Sequence, residues 1–184
     1  MSSHHEAGHV VLSILALIHP LKVSIFGKGY IAGETVTSVP TFPSSGLKPR
    51  GPELFLLHGR LRMFLAGHAS EKRFFETLVG EKVPRSLRLT AKNDFEAYRA
   101  IVRKRYAKSD ARLRLRKRLD RETDQLVKEH WVVISAVAKS IAQFKQLDYH
   151  GIKQAILGSK HQVRFWKKMF RHLEDLIRIK KDRR

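Results

Sequence analysis

The sequence predicts an α+β fold that is predominantly α-helical, with one small antiparallel β-hairpin or sheet and a C-terminal helical bundle. Three observations predict it. Apolar residues recur three and four positions apart through most of the chain beyond residue 52. Only residues 21–39 alternate as strands, and a single proline- and glycine-rich stretch, residues 40–52, separates the two regions.

In order, residues 1–18 read as a helix that stops before His19-Pro20, because a residue preceding proline is pushed out of the helical region. Residues 21–26 alternate as a strand, Gly27-Lys28-Gly29 supplies a turn, and residues 30–39 form the return strand. Residues 53–78 carry Leu54, Leu57, Leu61, Phe64 and Leu65 at helical spacing, with small residues at Ala66 and Gly67. Residues 90–106 form a further helix capped by Thr90 or Asn93, residues 112–144 one long helix, and residues 149–157 a short one. The last segment sets Val163, Trp166, Phe170, Leu173 and Ile177 on an apolar stripe opposite its bases, an amphipathic helix. Two units follow: a domain over residues 1–157 and a basic C-terminal helix or tail over 158–184.

The 184 residues are enough to bury a core without covalent staples. Cysteine is absent, so disulfides and thiolate metal sites are excluded, and a transition metal would have to rest on His, Asp or Glu. The apolar run over residues 10–18 is too short to cross a bilayer and lacks the flanks of a secretory signal, so a cytoplasmic location without a transmembrane segment is expected. The net charge of +20 is concentrated in residues 99–121 and 158–184. Such segments attract nucleic acid or an anionic membrane, or they are simply solvated helix faces.

Chemistry enters with His5-Glu6-Ala7-Gly8-His9, an HExxH string at the head of the first helix. His5 and His9 fall one turn apart on one face, where two imidazoles can hold a zinc ion. Glu6, rotated by about 100°, can reach a water on the metal's open side, and two ligands beside a general base are the apparatus of a hydrolase. A duller reading places Ser3 and Glu6 in a capping box. Catalytic zinc needs a third protein ligand. Asp94, before Phe95, Tyr98 and Ile101, and Glu71, among Leu65, Ala66, Ala69 and Phe74, both qualify. One would be the ligand and the other the acceptor for a ligand's second ring N–H.

The string HHEAGHVV resembles the motif that opens the peptidase domain of FtsH-type ATP-dependent zinc proteases. The likeness continues in colinear order through residues 21–25 and 29–35, Leu65-Ala66-Gly67-His68-Ala69-Ser70-Glu71, Thr90-Ala91-Lys92-Asn93-Asp94-Phe95, and residues 126–156. It implies one Zn2+ held by His5, His9 and Asp94, with Glu6 as catalytic base and Glu71 as a buried carboxylate behind the ligands. It also implies that an edge strand including Tyr30, Ile31, Ala32, Gly33, Glu34 and Thr35 binds unfolded substrate by strand addition. Residues 1–157 would then be an FtsH-like zinc peptidase domain, and a homo-oligomer is implied. The chain departs from the family in having no GxxxxGK[ST] string, and in carrying His68 and Lys72 where Arg and a second Glu are usual.

The expected activity is therefore a stand-alone zinc metalloendopeptidase acting on unfolded proteins or peptides, ATP-independent unless an ATPase assists in trans. The alternative is an inactive or structural-metal relative that binds nucleic acid or another anionic partner through its basic segments, with Phe165 and Trp166 among the contacting residues.

Overall fold

A computed structural model describes residues 2–26, 33–38, 51–79 and 91–181. Helix α1 (Ser2–Leu15) leads into strand β1 (Pro20–Ile25), which is followed by β2 (Gly33–Thr37). Helices α2 (Pro52–Phe74), α3 (Lys92–Arg105), α4 (Ser109–Glu129) and α5 (Trp131–Phe144) come next, and a short strand β3 (Gln146–Asp148) precedes α6 (Tyr149–Leu157) and α7 (Gln162–Lys181). The α+β, mainly helical expectation agrees with this architecture.

Helix α1 is the centre of the molecule. It packs against α2, α5, β1 and β2, and Ala7, Val10, Val11, Leu12 and Leu15 are all buried. Burial on nearly every side explains why the sequence here reads as a continuous apolar run rather than a stripe. Each of its Val and Leu side chains contributes up to about 1.5–3 kcal/mol by leaving water. The helix closes earlier than the proline predicts. Leu17 takes a left-handed φ of 59°, its N–H donates to Ile14 O at 3.0 Å, and Ile18 N–H donates to Ser13 O at 2.8 Å. That is a Schellman turn built on a leucine instead of the usual glycine, and it aims the chain directly into β1.

Helix α2 runs antiparallel to α1. A Cβ on Gly8 would lie 2.3 Å from Ser70 Oγ and 2.6 Å from Ala66 O, so the glycine inside the HExxH string is what lets the two backbones touch. The opposite face of α2 closes a second apolar cluster, in which Leu57, Leu61 and Leu65 meet Tyr98 and Val102 of α3 and Leu115 and Leu119 of α4. Thus α2 joins both cores, and Phe75–Val79 extends it by a π-helical turn.

Strand β1 lies in the middle of a three-stranded antiparallel sheet of order β2-β1-β3, with Val23 opposite both Thr35 and Leu147. The predicted hairpin is present as β1 and β2. Its turn, Tyr30, Ile31, Ala32 and Val39 fall outside the described residues. Strand β3 was not foreseen, since three residues are too few to show an alternating period.

Three element expectations are corrected. The single helix over 112–144 is two helices, α4 and α5, kinked at His130, whose φ of −106° and ψ of 16° leave the helical region. The backbone bonds from His130 N–H to Leu126 O and from Ile134 N–H to His130 O persist across the kink, so the apolar period runs on without a signal. Among the described residues helix α3 has no side-chain cap: its N-cap position is Ala91 and Asn93 lies inside the helix, while Thr90 falls outside the described residues. In α7 the core-facing residue is Phe165, fully buried against the edge of His130, with Trp166 and Met169 beside it. Val163 and Phe170 of the predicted stripe are instead 62% and 54% exposed. Through Phe165 the C-terminal helix shares the core of α1.

Replacing Gly8 by Ala should force α1 from α2 and cost about 1–3 kcal/mol. The expected thermal midpoint falls by at least about 3 °C at this chain length, and an unchanged midpoint would contradict the close approach.

Candidate metal centre

The site lies where α1, α2 and α3 meet. Helical spacing puts His5 and His9 on one face of α1, with ring centroids 4.7 Å apart and planes at 73°. Asp94 comes from the first turn of α3, where the helix dipole favours a carboxylate. Its Oδ2 is 3.0 Å from His5 Nε2 and 3.2 Å from His9 Nε2. The three candidate ligand atoms all lie within 4.8 Å of one another, so the group can hold a metal ion. Metal–ligand bonds of about 2.0–2.1 Å at tetrahedral angles place neighbouring ligand atoms about 3.3 Å apart, close to the two distances found.

The far side of the His9 ring defines its tautomer. His9 Nδ1–H donates to Met63 O at 2.7 Å, which leaves Nε2 as the lone-pair nitrogen facing Asp94. His5 Nδ1 lies 3.3 Å from Glu71 Oε2, and Glu71 is buried in α2. Two imidazole lone pairs and a carboxylate oxygen converging in a buried site need a cation or protons between them. Gly67 of α2 keeps the convergence open, for a Cβ there would lie 2.5 Å from His5 Nε2 and 2.6 Å from His9 Nε2.

The electrostatics follow from the same geometry. Burial opposes the charged form of His5, but its hydrogen bond to Asp94 and the adjacent Glu71 carboxylate outweigh it and push the ring up to about 10. His9 is raised in the same way, burial being overcome by Asp94. Burial likewise opposes ionisation of Asp94, yet His9 and His5 hold its carboxyl well below the usual range.

Glu6, buried beside the two rings in α1, accepts a hydrogen bond from Thr35 Oγ1 at 2.7 Å through Oε2. Helix α1 begins at Ser2, upstream of Ser3, so Glu6 is engaged by the sheet rather than by a capping box at Ser3. Strand β2 crosses directly over this carboxylate: a Cβ on Gly33 would meet Glu6 Cγ at 2.2 Å and Oε1 at 2.5 Å. Glu34, the next residue, is exposed.

The predicted set is therefore largely brought together. His5, His9 and Asp94 converge, Glu71 backs His5, and Gly33 and Thr35 adjoin Glu6, while Tyr30, Ile31 and Ala32 fall outside the described residues. Sequence reasoning missed Met63, whose contribution is a backbone carbonyl and carries no residue-type signal. It also missed the steric role of Gly67, for which the Ala66-Gly67 pair was the available hint, and the side-chain bond from Thr35. The first turn of α3 is braced from α4: the Arg116 guanidinium lies 4.8 Å over the Phe95 ring and 4.9 Å over Tyr98, with its Nε on Asp120 at 2.8 Å.

Comparison with protein-family models gives no match, and comparison with curated proteins gives none either. The chemistry of the site rests on its own geometry.

Because His5 and His9 are raised, the cluster holds at least one proton at pH 7 that an incoming cation must displace. Zinc binding should release protons, and its affinity should rise with pH by up to about tenfold per unit for each proton displaced. Calorimetric titration in buffers of different ionisation heat measures this; binding without proton release at pH 7 would contradict it. Gly67→Ala should keep the helical circular dichroism signal while weakening zinc binding, and equal affinity in that variant would contradict the steric role of Gly67.

Proposed function

We propose that the protein is a zinc-dependent metalloendopeptidase of the FtsH-type peptidase class, hydrolysing peptide bonds of unfolded polypeptides or peptides. The observation that carries the reading is the position of Asp94. A carboxylate 85 residues from His9 in sequence brings one oxygen to both ring nitrogens of the HExxH pair. The donor set of two imidazoles and one carboxylate suits a zinc ion that keeps an open position, and the Glu71 and Met63 contacts orient the imidazoles as such a centre requires.

When bound, zinc would polarise the scissile carbonyl and acidify a water molecule. The remaining work belongs to the chain. His5 and His9 present Nε2, with their Nδ1 atoms held from behind. Glu6 has Oε2 occupied by Thr35, and its Oε1, packed beside Gly33, would take a proton from water and pass it to the departing amine. Strand β2 ends the sheet among the described residues, so its outer edge is available to pair with an extended peptide. Backbone pairing selects extended chains with little regard for side chains, which suits an unfolded substrate. An ATPase acting in trans and a homo-oligomeric ring are further parts of the same proposal.

The test compares wild type, Glu6→Gln and Asp94→Ala for bound metal and for cleavage of unfolded casein. Wild type should hold one zinc per chain and cleave. Glu6→Gln should keep zinc and lose at least about a hundredfold in rate, and Asp94→Ala should lose both zinc and activity. Cleavage by Glu6→Gln at the wild-type rate, or iron in place of zinc, would overturn the assignment.

A further inference from the structure

The positive charge of this chain is arranged in two different ways. On α4 two arginines are tied down: Arg116 pairs with Asp120 and Arg118 with Glu122, which Arg62 of α2 meets from the other side. On α7 Lys168 pairs with Glu129, but Arg164, Lys167 and Arg171 recur at helical spacing on the face turned away from the core, with Lys160 in the turn just before the helix; these four are exposed, and none makes an ion pair among the described residues. The carboxylate lining the groove beside them, Glu129, is already satisfied by Lys168 and by Gln125 Nε2 at 2.9 Å. A groove of about 700 Å³ runs along this row.

Among the bases stands an aromatic ring. Phe170 is 54% exposed, with Lys167 one turn before it and Arg171 beside it. We propose that the outward face of α7 binds single-stranded nucleic acid, with Lys160, Arg164, Lys167 and Arg171 tracking the phosphates and Phe170 stacking on a base. From Arg164 to Arg171 the helical part of the row is about 10 Å long, and Lys160 in the preceding turn extends it, enough for a few nucleotides. Charge complementarity provides affinity without sequence preference, and an exposed ring between cations distinguishes a single strand from a duplex, whose bases are already stacked.

An anionic membrane fits this face less well. Insertion needs a continuous apolar side, and on α7 the residues that would form it, Phe165, Trp166 and Met169, are packed into the protein core. The inference is independent of the metal centre and stands whether or not the peptidase reading does.

Fluorescence anisotropy of the full chain with a labelled oligothymidine, a single-stranded RNA and a matched duplex, alongside co-sedimentation with phosphatidylglycerol vesicles, tests it. Single strands should bind more tightly than duplex, with a log–log salt slope of about −0.7 per phosphate contacted. The double variant Arg164→Gln/Lys167→Gln should weaken binding at least tenfold and make the slope shallower by about 1.4. Phe170→Ala should weaken it about tenfold with the slope unchanged. All three positions are exposed, and circular dichroism checks that the fold is kept. Affinity unaltered in both variants, duplex bound as tightly as single strands, or retention on vesicles without oligonucleotide binding would each overturn the proposal.

Discussion

Three ionisable side chains, His5, Glu6 and His9, are buried within little more than one turn of α1, and the surrounding structure is arranged to satisfy them. A buried polar group without a partner costs on the order of 1–3 kcal/mol, and a buried charge costs more. No partner is available within α1 itself, so each comes from another element. Met63 O and Glu71 come from α2, Asp94 from α3 and the Thr35 hydroxyl from β2. The same turn of helix therefore fixes where the sheet edge, the central helix and the start of α3 must lie.

The two apolar clusters make that arrangement stiff. One is built around α1 and reaches Phe165 of α7; the other fills the far side of α2 with α3 and α4. The candidate metal centre sits at their junction, so its three side chains are held by packing on both sides. Asp94 is the member of the cluster with the least apolar support of its own, being partly exposed at the start of a helix. Arg116, stacked over Phe95 and Tyr98 and anchored by Asp120, supplies a brace from α4.

Charge is segregated to match. Carboxylates are gathered inside around two imidazoles, while the excess of cations lies on the outer faces of the helices. On α4 Arg116 and Arg118 are neutralised along the helix by carboxylates at i+4, and such exposed pairs contribute little to stability. On α7 the excess is left facing solvent. In a chain of net charge +20, the local pairings of His5, His9 and Asp94 set the charge state of those three groups.

The sequence by itself determined what depends on local spacing. Helical period placed α1, α2 and α6 within a few residues, alternation located β1 and β2, and the i, i+4 interval put His5 and His9 on one face. Local pattern could not decide between Asp94 and Glu71 as the third ligand, because both carboxylates border apolar helical residues; the resemblance favoured Asp94, and the geometry brings it to both rings. Nor could it reveal β3, too short to show a period, or the kink at His130, through which the apolar period continues. On α7 apolar residues occur around more than one side of the helix, and only contact with His130 and the α1 core chose Phe165 over Val163 and Phe170. Tertiary structure alone decided those points, because each depends on which distant surface a side chain meets, and that information is not carried by its neighbours along the chain.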